Sequence, residues 1–270
     1  RLEDILKYFN RIFFFFIIFN MTLSAGSNEI FNMSLEELMN IKVISATKTE
    51  NTKKEAPGMI TSYSAEDLMK LGYFTLYQLA DITPGYSSYS IFGEKVLETR
   101  GQKAGSFNNN KHLLLIDGIP INHSRNYKAS IDYDLPLFFT QRVEFLRGPS
   151  SSLYGTGAFY GVMNLISNDG TSTGSRSFFT YGSLDKSFRL MSSASIDNEC
   201  STSNLNFGYY KKEPNKSYLS ENKIDYSRYY DDQQSIFFYG SHFFKKGVFQ
   251  GITLGTIYLS KIGGLGEFWM

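Results

Sequence analysis

Arg142-Val143-Glu144-Phe145-Leu146-Arg147-Gly148-Pro149 is continued by Leu153-Tyr154-Gly155 and by Gly161-Val162-Met163-Asn164-Leu165-Ile166. Within it, Arg142 to Leu146 and Val162 to Ile166 are short apolar runs that read as strands. Upstream, Met59 to Tyr63, Val96 to Arg100 and Leu113 to Asp117 read the same way, and Asp117-Gly118 is a tight-turn signal between two apolar runs. Helix signals are interleaved with these strands. Ser64 caps a helix that runs through Leu71 and is stopped by Gly72. Thr75 with Gln78 forms a capping box for a second helix carrying Leu76 and Leu79, which Pro84-Gly85 ends. Residues 57 to 168 therefore predict a small mixed α/β unit with its own core.

After Asp169-Gly170 the helix signals stop. Phe188 to Ile196 alternates, with Phe188, Leu190, Ala194 and Ile196 on one side and Arg189, Ser193 and Ser195 on the other. Ser203 to Tyr209 repeats the pattern, with Leu205, Phe207 and Tyr209 facing away from Asn204, Asn206 and Gly208. Val248 to Tyr258 predicts a further strand containing Gly251 and Gly255. A short turn at Gly182 to Asp185 and a long polar connection from Glu213 to Asp232 separate these runs. Such spacing suits an outer-membrane barrel, and a soluble sandwich would alternate as well.

Composition narrows the function classes. The 270 residues carry 27 Lys+Arg against 26 Asp+Glu, a formal charge of +1, which argues against nucleic acid as a partner. The single cysteine, Cys200, excludes an intrachain disulfide framework and a thiolate zinc site. His112, His123 and His242 have no metal-ligand spacing, and no metal or other cofactor is expected. Aromatic residues make up 16% of a chain whose mean hydropathy is just below zero, as expected where side chains alternate between two solvents. HExxH and P-loop motifs and paired carboxylates are missing, so no enzyme is expected. Gly155-Thr156-Gly157 is followed by a strand rather than a helix, contrary to a nucleotide loop.

Near the start of the sequence, Lys7 and Arg11 precede an apolar run from Ile12 to Phe19, with Ser24-Ala25-Gly26 beyond it. That order predicts a signal peptide over residues 1–26, cleaved after Ala25 or Gly26, the alternative being a buried core helix. The run is too short to span a bilayer, which takes about 20 apolar residues. Ser34 and Glu37 form a possible capping box for a short helix with Leu35, Leu38 and Met39, and an extended stretch, Ile41-Lys42-Val43-Ile44-Ser45-Ala46, follows.

Taken in order, the blocks of residues 56–168 resemble the plug domain of TonB-dependent outer-membrane receptors. The resemblance rests on Ile60-Thr61 with Ser64-Ala65-Glu66-Asp67-Leu68, on Leu79-Ala80-Asp81-Ile82-Thr83-Pro84-Gly85, on Thr99-Arg100-Gly101, on Leu114 to Asn122, and on the two blocks quoted at the outset. It implies an α+β chain: a small mixed α/β plug domain followed by the beginning of an antiparallel transmembrane β-barrel, incomplete here. The implied order is a signal peptide (1–26), a periplasmic segment with a TonB box (27–55), the plug (56–168) and the first barrel strands (169–270).

The resemblance places the TonB box at Ile41, Lys42, Val43, Ile44, Ser45 and Ala46. A partner that recognises it by strand addition needs an extended, partly β-branched segment free of stable internal pairing; an ordinary first plug strand is the other reading. Arg100, Glu144 and Arg147 lie where family plugs keep charges that pair with each other and with barrel acids. Ligand contacts are expected on outer plug loops at Tyr86 to Phe92, Gln102 to Asn110 and Asn122 to Tyr127. There Tyr86, Tyr89 and Phe92 would stack on a flat ligand, and His123, Arg125 and Tyr127 would meet an anionic one. The implied partners are TonB of the inner-membrane energy-coupling complex, outer-membrane lipid and a small-molecule ligand. The implied activity is energy-coupled import at the bacterial outer membrane, by default of a ferric siderophore; haem, cobalamin or oligosaccharide are alternatives. Residues beyond Gly170 suffice for about five strands, far short of the twenty-two the family uses, which predicts that this polypeptide alone is not a working transporter, being either a fragment of a longer gene product or a non-functional truncated fragment left by a decayed gene.

Overall fold

The computed structural model describes residues 42–43, 51–52, 58–91, 94–103, 109–168, 174–183, 186–213 and 232–263. The expected signal peptide and the Ser34–Met39 helix lie outside these residues.

Strands β1 (Lys42–Val43) and β2 (Asn51–Thr52) form a two-residue antiparallel ladder. Strand β3 (Met59–Ser64) leads into helix α1 (Ala65–Leu71). Ser64 accepts the Asp67 amide at 3.1 Å while the Asp67 carboxylate accepts the Ser64 amide at 2.8 Å, so the first-turn donors are satisfied reciprocally. Gly72, at φ 66°, closes the helix in the left-handed conformation. Helix α2 (Leu76–Ile82) follows, and Gln78 Oε1 accepts from the backbone amides of Phe74 (2.9 Å) and Thr75 (3.1 Å). Strands β4 (Tyr86–Ile91), β5 (Glu94–Thr99) and β6 (Gln102–Lys103) form a separate antiparallel sheet beside α2.

Strand β7 (His112–Ile116) turns at Asp117-Gly118, both at positive φ as a type I′ hairpin requires, into β8 (Ile119–Pro120). Strand β9 (Thr140–Arg147), the short helix α3 (Ser151–Tyr154) and β10 (Gly161–Ser167) complete the unit. The sheet order is β3-β9-β10-β7-β8, with only the β10–β7 pair parallel. Both faces are covered. Leu114, Val143, Phe145, Met163 and Leu165 pack with Leu76 and Leu79 of α2, and Ile60, Leu113, Leu115, Leu146 and Val162 form a second cluster on the opposite face. Each fully buried Leu or Phe contributes roughly 1.5–3 kcal/mol, so this sheet is the stable centre of the unit.

Five long antiparallel strands follow in sequential order: β11 (Gly174–Gly182), β12 (Ser187–Asp197), β13 (Ser201–Lys212), β14 (Gln233–Phe244) and β15 (Thr253–Gly263). Their register places Arg189, Tyr210, Ser235 and Lys261 in one cross-strand row, and Ser193, Asn206 and Tyr239 in another. These rows face the α/β unit. Leu190, Tyr209 and Ile236, and Leu205 four residues back along β13, point the other way. The sheet is thus apolar on its open side and mixed on its covered side, where Met191, Phe237 and Tyr239 are buried among the polar rows; a soluble sandwich would keep its polar residues on the open side.

The predicted strand at Val248–Tyr258 is displaced. Gly247 and Gly251 adopt positive φ (95° and 83°) in the turn before β15, and Val248, the first residue of the expected strand, is 96% exposed. Turn geometry overrode an apolar run. Tyr86 to Phe92, expected as a loop, is strand β4 as far as Ile91; Phe92 lies outside the described residues.

Gly161 carries a packing constraint. A Cβ there would lie 2.5 Å from the Tyr86 hydroxyl and 2.6 Å from the Leu146 carbonyl oxygen, and the latter is backbone that cannot swing away. Gly161→Ala is expected to destabilise the fold by about 1–3 kcal/mol, the usual range for overpacking, read as a lowered urea midpoint at unchanged m-value.

Candidate functional site

The α/β unit meets the long sheet through a seam rich in polar contacts. Tyr133 lies flat on Tyr210 of β13, with ring centroids 3.9 Å apart and planes 13° from parallel. The Arg189 guanidinium of β12 stands 4.3 Å from the Phe74 ring centroid and 5.0 Å from that of Tyr133. Ser235 of β14 donates to the Tyr133 carbonyl at 2.8 Å, and Arg176 of β11 donates to the Phe138 carbonyl at 2.9 Å. Further along the sheet, Tyr239 donates to Asp117 at 2.9 Å, and the Asn204 amide donates to the Asn168 carbonyl at 2.8 Å. Phe237 packs beside Phe139, their centroids 5.0 Å apart. Gly208 admits the unit closely: a Cβ there would stand 3.3 Å from Pro136 Cγ.

Lys261 of β15 carries the ionic part of the seam. Its ammonium lies 3.6 Å from Glu94 Oε2 and 3.7 Å from Asp132 Oδ2. Lys128 lies 2.7 Å from the same Glu94 oxygen. Burial alone would raise the Glu94 carboxyl, but the hydrogen bond from Lys128 and the charge of Lys261 outweigh it and hold the group below its ordinary value. Asp132 is shifted upward, chiefly by burial and further by Asp134, against the opposing pull of Lys261.

Asn109 assembles this corner. Its side-chain oxygen accepts the Leu97 amide at 2.7 Å, and its side-chain nitrogen donates to the Lys95 carbonyl at 2.9 Å and the Ala129 carbonyl at 3.5 Å. It thereby joins β5 to the segment leading to Asp132 and Tyr133. Asn122 plays the same part nearby, accepting from Leu114 N (2.8 Å) and donating to the carbonyls of His112 (3.0 Å) and Tyr127 (2.9 Å). The sequence placed both asparagines in expected outer loops without this bridging role, and it did not single out Lys128, Asp132 or Lys261. A polar residue with no helix or turn to cap was the sole available signal for Asn109.

The expected ligand residues divide. His123, Arg125 and Tyr127 share one exposed loop, where the His123 amide donates to the Lys128 carbonyl at 2.9 Å, which brings them beside the Glu94–Lys128 pair. Tyr89 is half-buried on β4. Tyr86 is a core residue, its ring 5.4 Å from Phe145 and 5.9 Å from His112, because β4 is a strand packed on the unit rather than an outer loop.

The expected charge cluster is arranged differently too. Glu144 is fully buried and pairs with Arg142 at 2.7 Å. Arg147, three residues along the strand, points to the opposite face and donates to the Pro84 carbonyl at 2.9 Å, so period-2 alternation forbids the Glu144–Arg147 pairing. Arg100 is exposed at φ 52° in the turn after β5. The plug–sheet ion pairs join acids of the α/β unit to a lysine of the sheet, where barrel acids were expected. Of the proposed TonB box, Lys42 and Val43 are paired with Thr52 and Asn51, contrary to a segment free of pairing; Ile41, Ile44, Ser45 and Ala46 lie outside the described residues.

Residues 52–162 match the family model described as the TonB-dependent Receptor Plug Domain. The chain carries the plug of a TonB-dependent receptor. Among curated proteins, the chain is 28% identical over 136 residues to the vitamin B12 transporter BtuB of Vibrio vulnificus, covering 48% of this chain and 21% of that protein. Against BtuB of Vibrio cholerae it is 39% identical over 72 residues, covering 25% of this chain and 12% of the relative. The chain thus spans about a fifth or less of these relatives. Among solved structures, the pyoverdine outer membrane receptor FpvA of Pseudomonas aeruginosa PAO1 superposes with a TM-score of 0.64 at 20% identity, over 82% of this chain and 30% of that one. The ferric-catecholate import receptor Fiu of Escherichia coli K12 gives 0.55 at 19% identity, over 76% and 27%. These likenesses identify the plug followed by the opening antiparallel strands of the receptor barrel, and a protein of the outer membrane. The family is one of receptors and transporters rather than enzymes.

His112, in the plug core, offers a direct check on its packing. Its Nε2 lies 2.6 Å from Thr99 Oγ1, and burial lowers its pKa to about 4 from 6.5. Between those values the unfolded chain binds a proton that the folded plug excludes, so stability falls as pH drops from 6.5 to about 4 and then levels. The slope from this group is at most about 1.4 kcal/mol per pH unit. Subtracting the pH profile of His112→Gln from that of the parent, by urea unfolding in detergent, is expected to leave this slope in that window alone.

Proposed function

We propose that this chain is the plug-bearing part of a receptor that imports a scarce ligand across the bacterial outer membrane, drawing on the TonB energy-coupling complex, and that the ligand is a ferric siderophore. The observation that carries the reading is the seam: a plug held to the inner face of a lipid-facing sheet by hydrogen bonds and ion pairs as well as by the buried rings of Phe237 and Tyr239. Polar contacts can be re-formed with water as they part, which suits a stopper that must loosen and reseat. The long connection between Lys212 and Gln233 marks the outer end of the strands, since barrels carry their longer loops outside. Lys261, Glu94, Lys128 and the His123–Tyr127 loop then gather toward the ligand side. Arg125, Lys128 and His123 supply donors for an anionic chelate, with any iron arriving already bound as cargo.

Cobalamin is the second reading, favoured by the sequence likeness of part of the chain to vitamin B12 transporters. Growth of a strain lacking the complete gene, on a panel of chelated iron sources and cobalamin, separates the two. Loss of growth on a siderophore alone supports the first reading, loss on cobalamin alone the second, and normal growth on every source contradicts both.

In this reading TonB takes Ile41 to Ala46 by strand addition, displacing the two-residue ladder between β1 and β2. Val43→Pro removes a ladder donor and fixes an unsuitable backbone. In the complete receptor it is expected to abolish uptake while leaving ligand binding to isolated outer membranes within about twofold. Retained uptake would remove this segment from the coupling step.

A further inference from the structure

We propose that Glu94 shares its charge between the plug and the barrel wall, so that an anionic ligand group neutralising Lys128 loosens the wall's hold on Asp132. The inference rests on the receptor reading above and adds how occupancy at the plug's outer face reaches the seam.

A single carboxylate oxygen, Glu94 Oε2, serves two ammonium groups, Lys128 of the plug at 2.7 Å and Lys261 of β15 at 3.6 Å. Lys261 is in turn divided between Glu94 and Asp132 Oδ2, at 3.7 Å. Neither of its contacts is at the short distance of a full charge-assisted hydrogen bond, so its position is a compromise. Lys128 is partly exposed, with 30% of its side chain accessible, and adjoins the His123–Tyr127 loop. Asp132 is 5% exposed and its Oδ1 has no hydrogen-bond partner; Lys261 is the cation it pairs with, and the charge of Lys95 and the Tyr133 amide act on it more weakly.

When an anion takes Lys128, Glu94 loses its nearer cation. Lys261 is then drawn onto Glu94 and away from Asp132, and the buried Asp132 carboxylate keeps only the weaker influence of Lys95 and the Tyr133 amide, an arrangement that destabilises the segment holding it. That segment carries Tyr133, whose ring lies on Tyr210 and whose carbonyl accepts from Ser235. Anion capture at the plug surface thereby weakens the main aromatic contact with the wall. Linkage requires the converse, that a plug held by Lys261 on Asp132 binds the anion less tightly.

Charge-neutral substitution stands in for capture, so the central test needs no ligand. In the complete receptor, in lipid vesicles, hydrogen exchange is followed at the amides of Leu135 and Leu137, which donate to the Asp132 and Phe74 carbonyls. Lys128→Met is expected to speed exchange there by about tenfold. The same substitution in a Glu94→Gln or a Lys261→Met background is expected to do nothing further, because the shared oxygen or the shared cation is gone. Unchanged exchange in Lys128→Met, or an equal increase in the Glu94→Gln background, overturns the proposal. Phosphate, citrate, ferric citrate and iron(III) tris-catecholate are then added to the parent receptor. A Glu94-dependent increase with any of them supports the anionic assignment, and no response to all four contradicts it. Because the substitution cycle is read without transport, its failure is distinct from a failure of the uptake reading, which the growth panel reports.

Discussion

The constraint on which the molecule depends is that a sheet with an apolar outer face and rows of polar side chains on its inner face cannot be satisfied by one solvent. Strands β11 to β15 point Leu190, Leu205, Tyr209 and Ile236 outward and Arg189, Asn206, Ser235 and Lys261 inward. Lipid covers the first set. The second needs water or protein, and the plug supplies protein: Tyr133 for Tyr210 and Ser235, Asp117 for Tyr239, the Asn168 carbonyl for Asn204. The plug sheet is apolar on both faces, and on one of them its core continues into the wall through Phe237 and Tyr239. Polar pairs and a shared apolar cluster therefore hold the two together.

Much of this was legible because the patterns are local. Period-2 alternation over Phe188–Ile196 and Ser203–Tyr209 fixed which side chains share a face, and the register bears that out. The caps at Ser64, Gly72 and Gln78 lie where sequence chemistry put them, since each is a bond within three or four residues. Strand β4 was hidden by its own composition: Tyr86-Ser87-Ser88-Tyr89-Ser90 has the serines of a loop, and only pairing with β5 makes it a strand. Val248-Phe249 misled in the opposite sense, apolar residues placed on a turn by the glycines flanking them.

The site was less legible than the fold. The loop with His123, Arg125 and Tyr127 was identified as exposed, but the groups that organise its surroundings are joined across long sequence separations. Asn109 binds Lys95 and Ala129, and Lys261 reaches back to Glu94 and Asp132. No single-sequence pattern announces a contact between a plug acid and a strand lysine well over a hundred residues away. The expected Glu144–Arg147 pairing failed for a simpler reason, strand parity, which was available from the sequence once both residues were assigned to one strand.

The claim that the strands separate lipid from plug is tested most directly at two adjacent residues of β13. Tyr209→Trp and Tyr210→Trp, each in a complete receptor free of other tryptophans, are reconstituted into vesicles whose acyl chains carry bromine. Tryptophan emission is expected to be strongly quenched for the Tyr209 substitution, and unquenched for the Tyr210 substitution, where the ring lies against Tyr133. Equal quenching at both positions, or the reverse order, would contradict the account.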